Sequence, residues 1–80
     1  MTIHVKLYGP AADWAGADHA DISADSGETV GRLAGRIAEK WPRVGAALGV
    51  RLAVNRRYVA LDHVLSDGDE LAVLPPVSGG

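Results

Sequence analysis

The stretch Thr29–Pro42, TVGRLAGRIAEKWP, places apolar side chains at Val30, Leu33, Ala34, Ile37, Ala38 and Trp41. Steps of three and four residues put all six on one face of an α-helix. Arg32, Arg36, Glu39 and Lys40 take other positions, Thr29 offers an N-cap hydroxyl, and Pro42 ends the element at about Trp41. Gly31 and Gly35 each cost roughly 1 kcal/mol against alanine, so tertiary packing must hold this helix. One further short turn is expected within residues 43–49.

On both sides of the helix the period drops to two. Ile3, Val5 and Leu7 alternate with His4, Lys6 and Tyr8, which predicts a half-buried strand. Residues 9–18, GPAADWAGAD, open on a Gly-Pro breaker and are expected to form a long hairpin loop before a weaker strand at 19–24. After the helix come a strand at 51–55 with Leu52 and Val54 inward, a turn at Asn55-Arg56-Arg57, and a short strand at 58–60. A connection closed by Asp67-Gly68-Asp69 leads to a last strand at 70–75. Two strands, one helix and three strands predict an α+β domain, a mixed sheet of about five strands with one main helix across one face. With the first and last strands as parallel neighbours in the middle, that order is the β-grasp, or ubiquitin-like, fold.

Eighty residues leave room for one core. With two Trp, two Tyr and no Phe, that core must be aliphatic. A net charge of −2 argues against a nucleic-acid partner, which would need a basic stripe. No apolar run approaches a membrane span and the N-terminus lacks a signal-peptide layout, so a cytoplasmic protein is expected. The absence of cysteine excludes disulfides, thiolate metal sites, a cysteine nucleophile and a side-chain persulfide.

Few residue clusters suggest chemistry inside the domain. His4, His19 and His63 lack ligand spacing, so no bound metal is expected. Asp67-Gly68-Asp69-Glu70 reads as a turn, since the other positions of a calcium loop are missing. Asp62, His63 and Ser66 sit in a short connection without an oxyanion hole or a nucleophile elbow. Arg56-Arg57 reads as a solvated turn, with docking of an acidic partner as the alternative. Tyr8 and Leu74 fall on the strand faces opposite the core residues and could join Tyr58 in an exposed apolar patch, a feature that often marks a partner surface. The alternative is that a loop covers it.

The end of the chain, Leu74-Pro75-Pro76-Val77-Ser78-Gly79-Gly80, is informative in another way. Pro75 and Pro76 cannot donate to a sheet ladder and should close the last strand. The expected division is a domain at 1–74 and a flexible tail at 75–80. Six extended residues reach ~20 Å, and two glycines without a Cβ fit a channel too narrow for other residues. This suits an arm that delivers one carboxylate into another protein's active site.

Residues 29–37 (TVGRLAGRI), 52–55 (LAVN) and 65–80 (LSDGDELAVLPPVSGG) resemble the small subunits of molybdopterin synthases, a family of ubiquitin-like sulfur carriers. The resemblance runs through nearly the whole chain, and the DGDE…PPVSGG ending is its most specific part; segment 9–18 departs from the family pattern, which often holds an Arg-Glu pair there. It implies that the chain binds no cofactor itself. A ubiquitin-E1-like enzyme would use ATP-Mg to adenylate Gly80, and a sulfur donor protein's persulfide would convert it to a thiocarboxylate. The thiocarboxylate would then give sulfur to cyclic pyranopterin monophosphate in the large subunit, within a 2+2 heterotetramer. Gly79 and Gly80 match the family's functional end. Tyr8, Tyr58 and Leu74 match its docking positions, and Pro75, Pro76, Val77 and Ser78 would follow into the partner. Other readings are a carrier for thiamine or cysteine synthesis, a protein modifier, and a plain β-grasp binding module.

Overall fold

The computed structural model describes residues 1–46 and 51–74. Their elements are β1 (Thr2–Leu7), α1 (Pro10–Ala15), β2 (His19–Ser23), α2 (Val30–Lys40), α3 (Pro42–Ala46), β3 (Arg51–Val54), β4 (Arg57–Tyr58) and β5 (Glu70–Leu74). One five-stranded sheet runs in the order β2-β1-β5-β3-β4. β1 and β5 are the parallel pair, with Val5 beside Leu71 and Leu7 beside Val73, and the other neighbours are antiparallel. This is the expected β-grasp sheet.

Strand alternation sends Ile3, Val5, Leu7, Val54, Leu71 and Val73 to one face, where α2 meets them with Val30, Leu33, Ile37 and Trp41. Ile3, Val5, Val30, Leu33, Leu71 and Val73 are fully buried, each contributing about 1.5–3 kcal/mol of apolar transfer. α2 begins as expected: the Arg32 N–H donates to Thr29 Oγ1 at 3.3 Å. Its two glycines differ. Gly31 donates its N–H to the Leu61 carbonyl at 2.8 Å, and a Cβ there would stand 3.2 Å from that oxygen. Gly35 is exposed and has no neighbour within 4 Å of where its Cβ would lie.

Segment 9–18 is not one long loop, because Pro10–Ala15 is a helix. Proline breaks a helix interior but suits its first turn, where the missing N–H has no partner to lose. Pro10 holds that place, Ala11 is completely buried, and Gly16 closes the element in the left-handed region at φ 71°. The turn expected within 43–49 is α3, which starts at Pro42; the remainder of that expectation, like Pro75, lies outside the described residues. α3 packs tightly on α2, so that a Cβ on Gly45 would come within 2.5 Å of Ala38 Cβ.

Glu28 is the buried charged side chain among the described residues, 4% exposed. Arg36 Nη1 donates to its carboxylate at 3.0 Å and to the Ser23 carbonyl at 2.6 Å. The pair fastens α2 to the end of β2, away from the open side of the sheet.

Candidate functional site

The helices cover one face of the sheet and leave the other open. Register assigns His4, Lys6, Glu70, Ala72, Leu74, Arg51, Ala53 and Tyr58 to that open face, opposite the core residues that alternate with them. Its centre is apolar because β3 and β5 place alanines there: Ala53 and Ala72 are register partners and are buried although no helix covers them. Larger neighbours rise around these two short side chains. Tyr8, Ala53, Arg56, Tyr58, Glu70, Ala72 and Leu74 line a depression of about 240 Å³.

Tyr8, Tyr58 and Leu74 therefore come together as expected, and no loop of the described chain covers them. Tyr8 is 44% exposed and Tyr58 64% exposed. Tyr8 keeps its place through its N–H, which donates to the Val73 carbonyl at 3.1 Å and extends the β1–β5 pairing beyond the strand. Leu74, half-buried, is the last residue of β5 and pairs with Arg51. Pro75, Pro76, Val77, Ser78, Gly79 and Gly80 lie outside the described residues.

Polar groups rim the depression. Lys6 Nζ stands 3.3 Å from Glu70 Oε2, while the Arg51 guanidinium lies 4.9 Å from the Tyr58 ring centroid, a cation–π distance. At the far end Asn55 fastens the β3–β4 turn to β5. Its side-chain amide donates to Asp69 Oδ1 at 2.9 Å, and its side-chain oxygen accepts from the Glu70 N–H at 3.0 Å. Asp67 Oδ1 accepts from the Thr2 N–H and Asp69 Oδ2 from the Ser66 N–H, each at 2.8 Å. The Asp67-Gly68-Asp69 carboxylates thus serve the turn that joins β5 to the start of β1. His4 pairs with Asp21 and His19 with Asp18, both at 2.7 Å, while His63 sits in the exposed 61–64 connection. Among the described residues no three His, Cys, Asp or Glu side chains converge, and no helix is long and apolar enough to cross a membrane.

Sequence reasoning missed Ala53, Ala72 and Asn55. The signal for the first two was present, since small residues in the outward phase of both central strands leave a hollow. Asn55 was placed in a turn, but its grip on Asp69 joins residues 14 positions apart.

This architecture, with one sheet face open and apolar, defines a ubiquitin-like β-grasp domain. The chain belongs to the ThiS family, whose profile matches residues 5–80. It is 37% identical over 81 residues to the molybdopterin synthase sulfur carrier subunit of Escherichia coli (strain K12), covering 98% of this chain and 99% of the relative. It is similar to a chain in the complex of subunits 1 and 2 of the molybdopterin-converting factor from Helicobacter pylori 26695, with TM-score 0.73, 27% identity and full coverage of both chains. The crystal structure of SAMP1 from Haloferax volcanii, a small archaeal modifier protein, is similar with TM-score 0.88, 27% identity and full coverage of both chains.

Proposed function

We propose that this chain is the sulfur-carrying small subunit of a molybdopterin synthase, with the Gly80 carboxylate as its reactive group. The observation that carries the reading is the position of Leu74. It both lines the apolar depression and ends β5, so a protein docked on the open face also meets the root of the six residues that follow. Those six could carry Gly80 up to ~20 Å from the docking face.

The chemistry follows from what a carboxylate lacks. Ionised at neutral pH, it repels nucleophiles and has no leaving group. An E1-like enzyme with ATP-Mg supplies one by forming the acyl-adenylate of Gly80 with loss of pyrophosphate. The terminal sulfur of a donor protein's persulfide displaces AMP to form an acyl disulfide. A second thiol of the donor cleaves its S–S bond, leaving the thiocarboxylate on Gly80 and a disulfide on the donor. This chain contains no cysteine on which to hold that sulfur otherwise. In the large subunit's pocket the thiocarboxylate gives its sulfur to cyclic pyranopterin monophosphate, and two transfers build the dithiolene of molybdopterin. The Helicobacter pylori complex of two subunits supports the large-subunit partner. The activating enzyme and the donor protein are required by the chemistry.

Likeness to a small archaeal modifier protein supports a second reading, in which a lysine amine captures the same activated Gly80 as an amide. Intact-mass measurement after incubation with ATP, activating enzyme and sulfur source separates the two. A carrier gains the mass of one sulfur less one oxygen, a modifier appears as protein conjugates, and an unchanged mass rejects both. Co-purification with a molybdopterin synthase large subunit assigns the carrier to this synthase rather than to thiamine or cysteine synthesis.

A further inference from the structure

The depression on the open face is charged unevenly. On the β1 side Lys6 is neutralised by Glu70 at 3.3 Å. On the β3–β4 side Arg51 lies over the Tyr58 ring and Arg56 lines the depression together with Tyr58, and among the described residues neither has a carboxylate within ion-pair distance. Two uncompensated cations thus border one wall of an apolar hollow, in a chain whose net charge is −2.

Arg56 is there against the preference of its backbone. Asn55 and Arg56 form the turn between β3 and β4 with φ of 49° and 69°. Two successive left-handed residues make the tight hairpin turn for which Asn-Gly is the preferred pair, because glycine has no Cβ to strain that conformation. Asn55 obeys this preference and Arg56 does not. A strained position that holds a long cation at the rim of the depression, where glycine would be more stable, points to a use for the side chain. Arg51 is held differently, stacked on Tyr58 with its charge beside the apolar surface.

We propose that Arg51 and Arg56 form a cationic selection edge, and that the partner docking here surrounds an apolar projection with carboxylates on the side facing β3 and β4. This rests on the reading of the open face as the docking site for the large subunit, and adds the charge pattern that partner must present. Rim charges of this kind act chiefly on encounter rate and on rejection of wrong partners. The fold also contains an internal control. Arg57 is the register partner of the core residue Val54, so it belongs to the opposite face from Tyr58 and lies outside the edge.

The test is association of the full chain with the purified large subunit, followed at several salt concentrations. Wild-type association should slow as salt rises. R51Q/R56Q should associate about tenfold more slowly at low salt, with a flattened salt dependence, while R57Q should match wild type. Arg56→Gly should raise Tm by a few degrees and yet slow association, opposite signs that a purely structural arginine would not give. The proposal is overturned if R51Q/R56Q associates like wild type, if R57Q is equally impaired, or if Arg56→Gly leaves association unchanged. Leu74→Asp separates this failure from that of the docking reading. If it weakens binding while R51Q/R56Q does not, only the charge pattern is wrong; if both bind like wild type, the docking face is wrong as well.

Discussion

Leu74 is the last residue of β5 and lines the depression on the open face, so it offers a sharp test at the scale of one residue. It is half-buried on the open face rather than in the core, and an aspartate there can be accommodated by the free domain. In a complex that charge is desolvated without a partner, at a cost of several kcal/mol. Leu74→Asp should therefore weaken the large-subunit complex, with k_off rising more than k_on falls. Surface plasmon resonance at fixed salt checks this, and unchanged affinity removes Leu74 from the interface. On the proposed function, deletion of Gly80 or addition of one residue after it should abolish thiocarboxylate formation and leave Tm nearly unaltered. Mass spectrometry and calorimetry on the same samples decide the point: a large fall in Tm would make the tail part of the fold.

At the scale of the elements, α2 carries two glycines that read alike in the sequence and differ in the structure. Gly35 faces open space, so Gly35→Ala should stabilise by about 1 kcal/mol through helix propensity alone. Gly31 sits against the Leu61 carbonyl, and the same substitution there should stabilise less or destabilise. Gly45 is the more severe case, since a Cβ would stand 2.8 Å from Ala38 Cα as well as against its Cβ. Gly45→Ala should cost about 1–3 kcal/mol, the range for overpacking, because backbone must move. Urea unfolding midpoints of the three variants rank these effects, and a neutral Gly45→Ala would mean that α3 rides loosely on α2. α1 teaches a related lesson. Gly9-Pro10 was legible as an interruption, but whether proline ends one element or starts another depended on Ala11 finding a buried place.

For the whole molecule, the proposed function assigns one open face to every protein that must reach Gly80. The activating enzyme and the large subunit should therefore compete. Saturating large subunit should suppress ATP–pyrophosphate exchange by the activating enzyme, and undiminished exchange would show that the two use separate surfaces. The amino-acid sequence determined by itself the main helix, the order and phase of the strands, and the presence of Pro75-Pro76 and Gly79-Gly80 within residues 75–80. Periodicity, capping and proline placement act over a few residues, and alternation alone was enough to send Tyr8 and Leu74 away from Ile3, Val5 and Leu71. Tertiary structure decided what depends on residues far apart in the chain. It brought Tyr8, Tyr58 and Leu74 around the paired Ala53 and Ala72, bound Asn55 to Asp69, and left Arg51 and Arg56 on the open side of the sheet with Arg57 on the other. A residue's face can be read from its neighbours along the strand, but its companions on that face are set by register between strands, which is fixed only when the whole core packs at once.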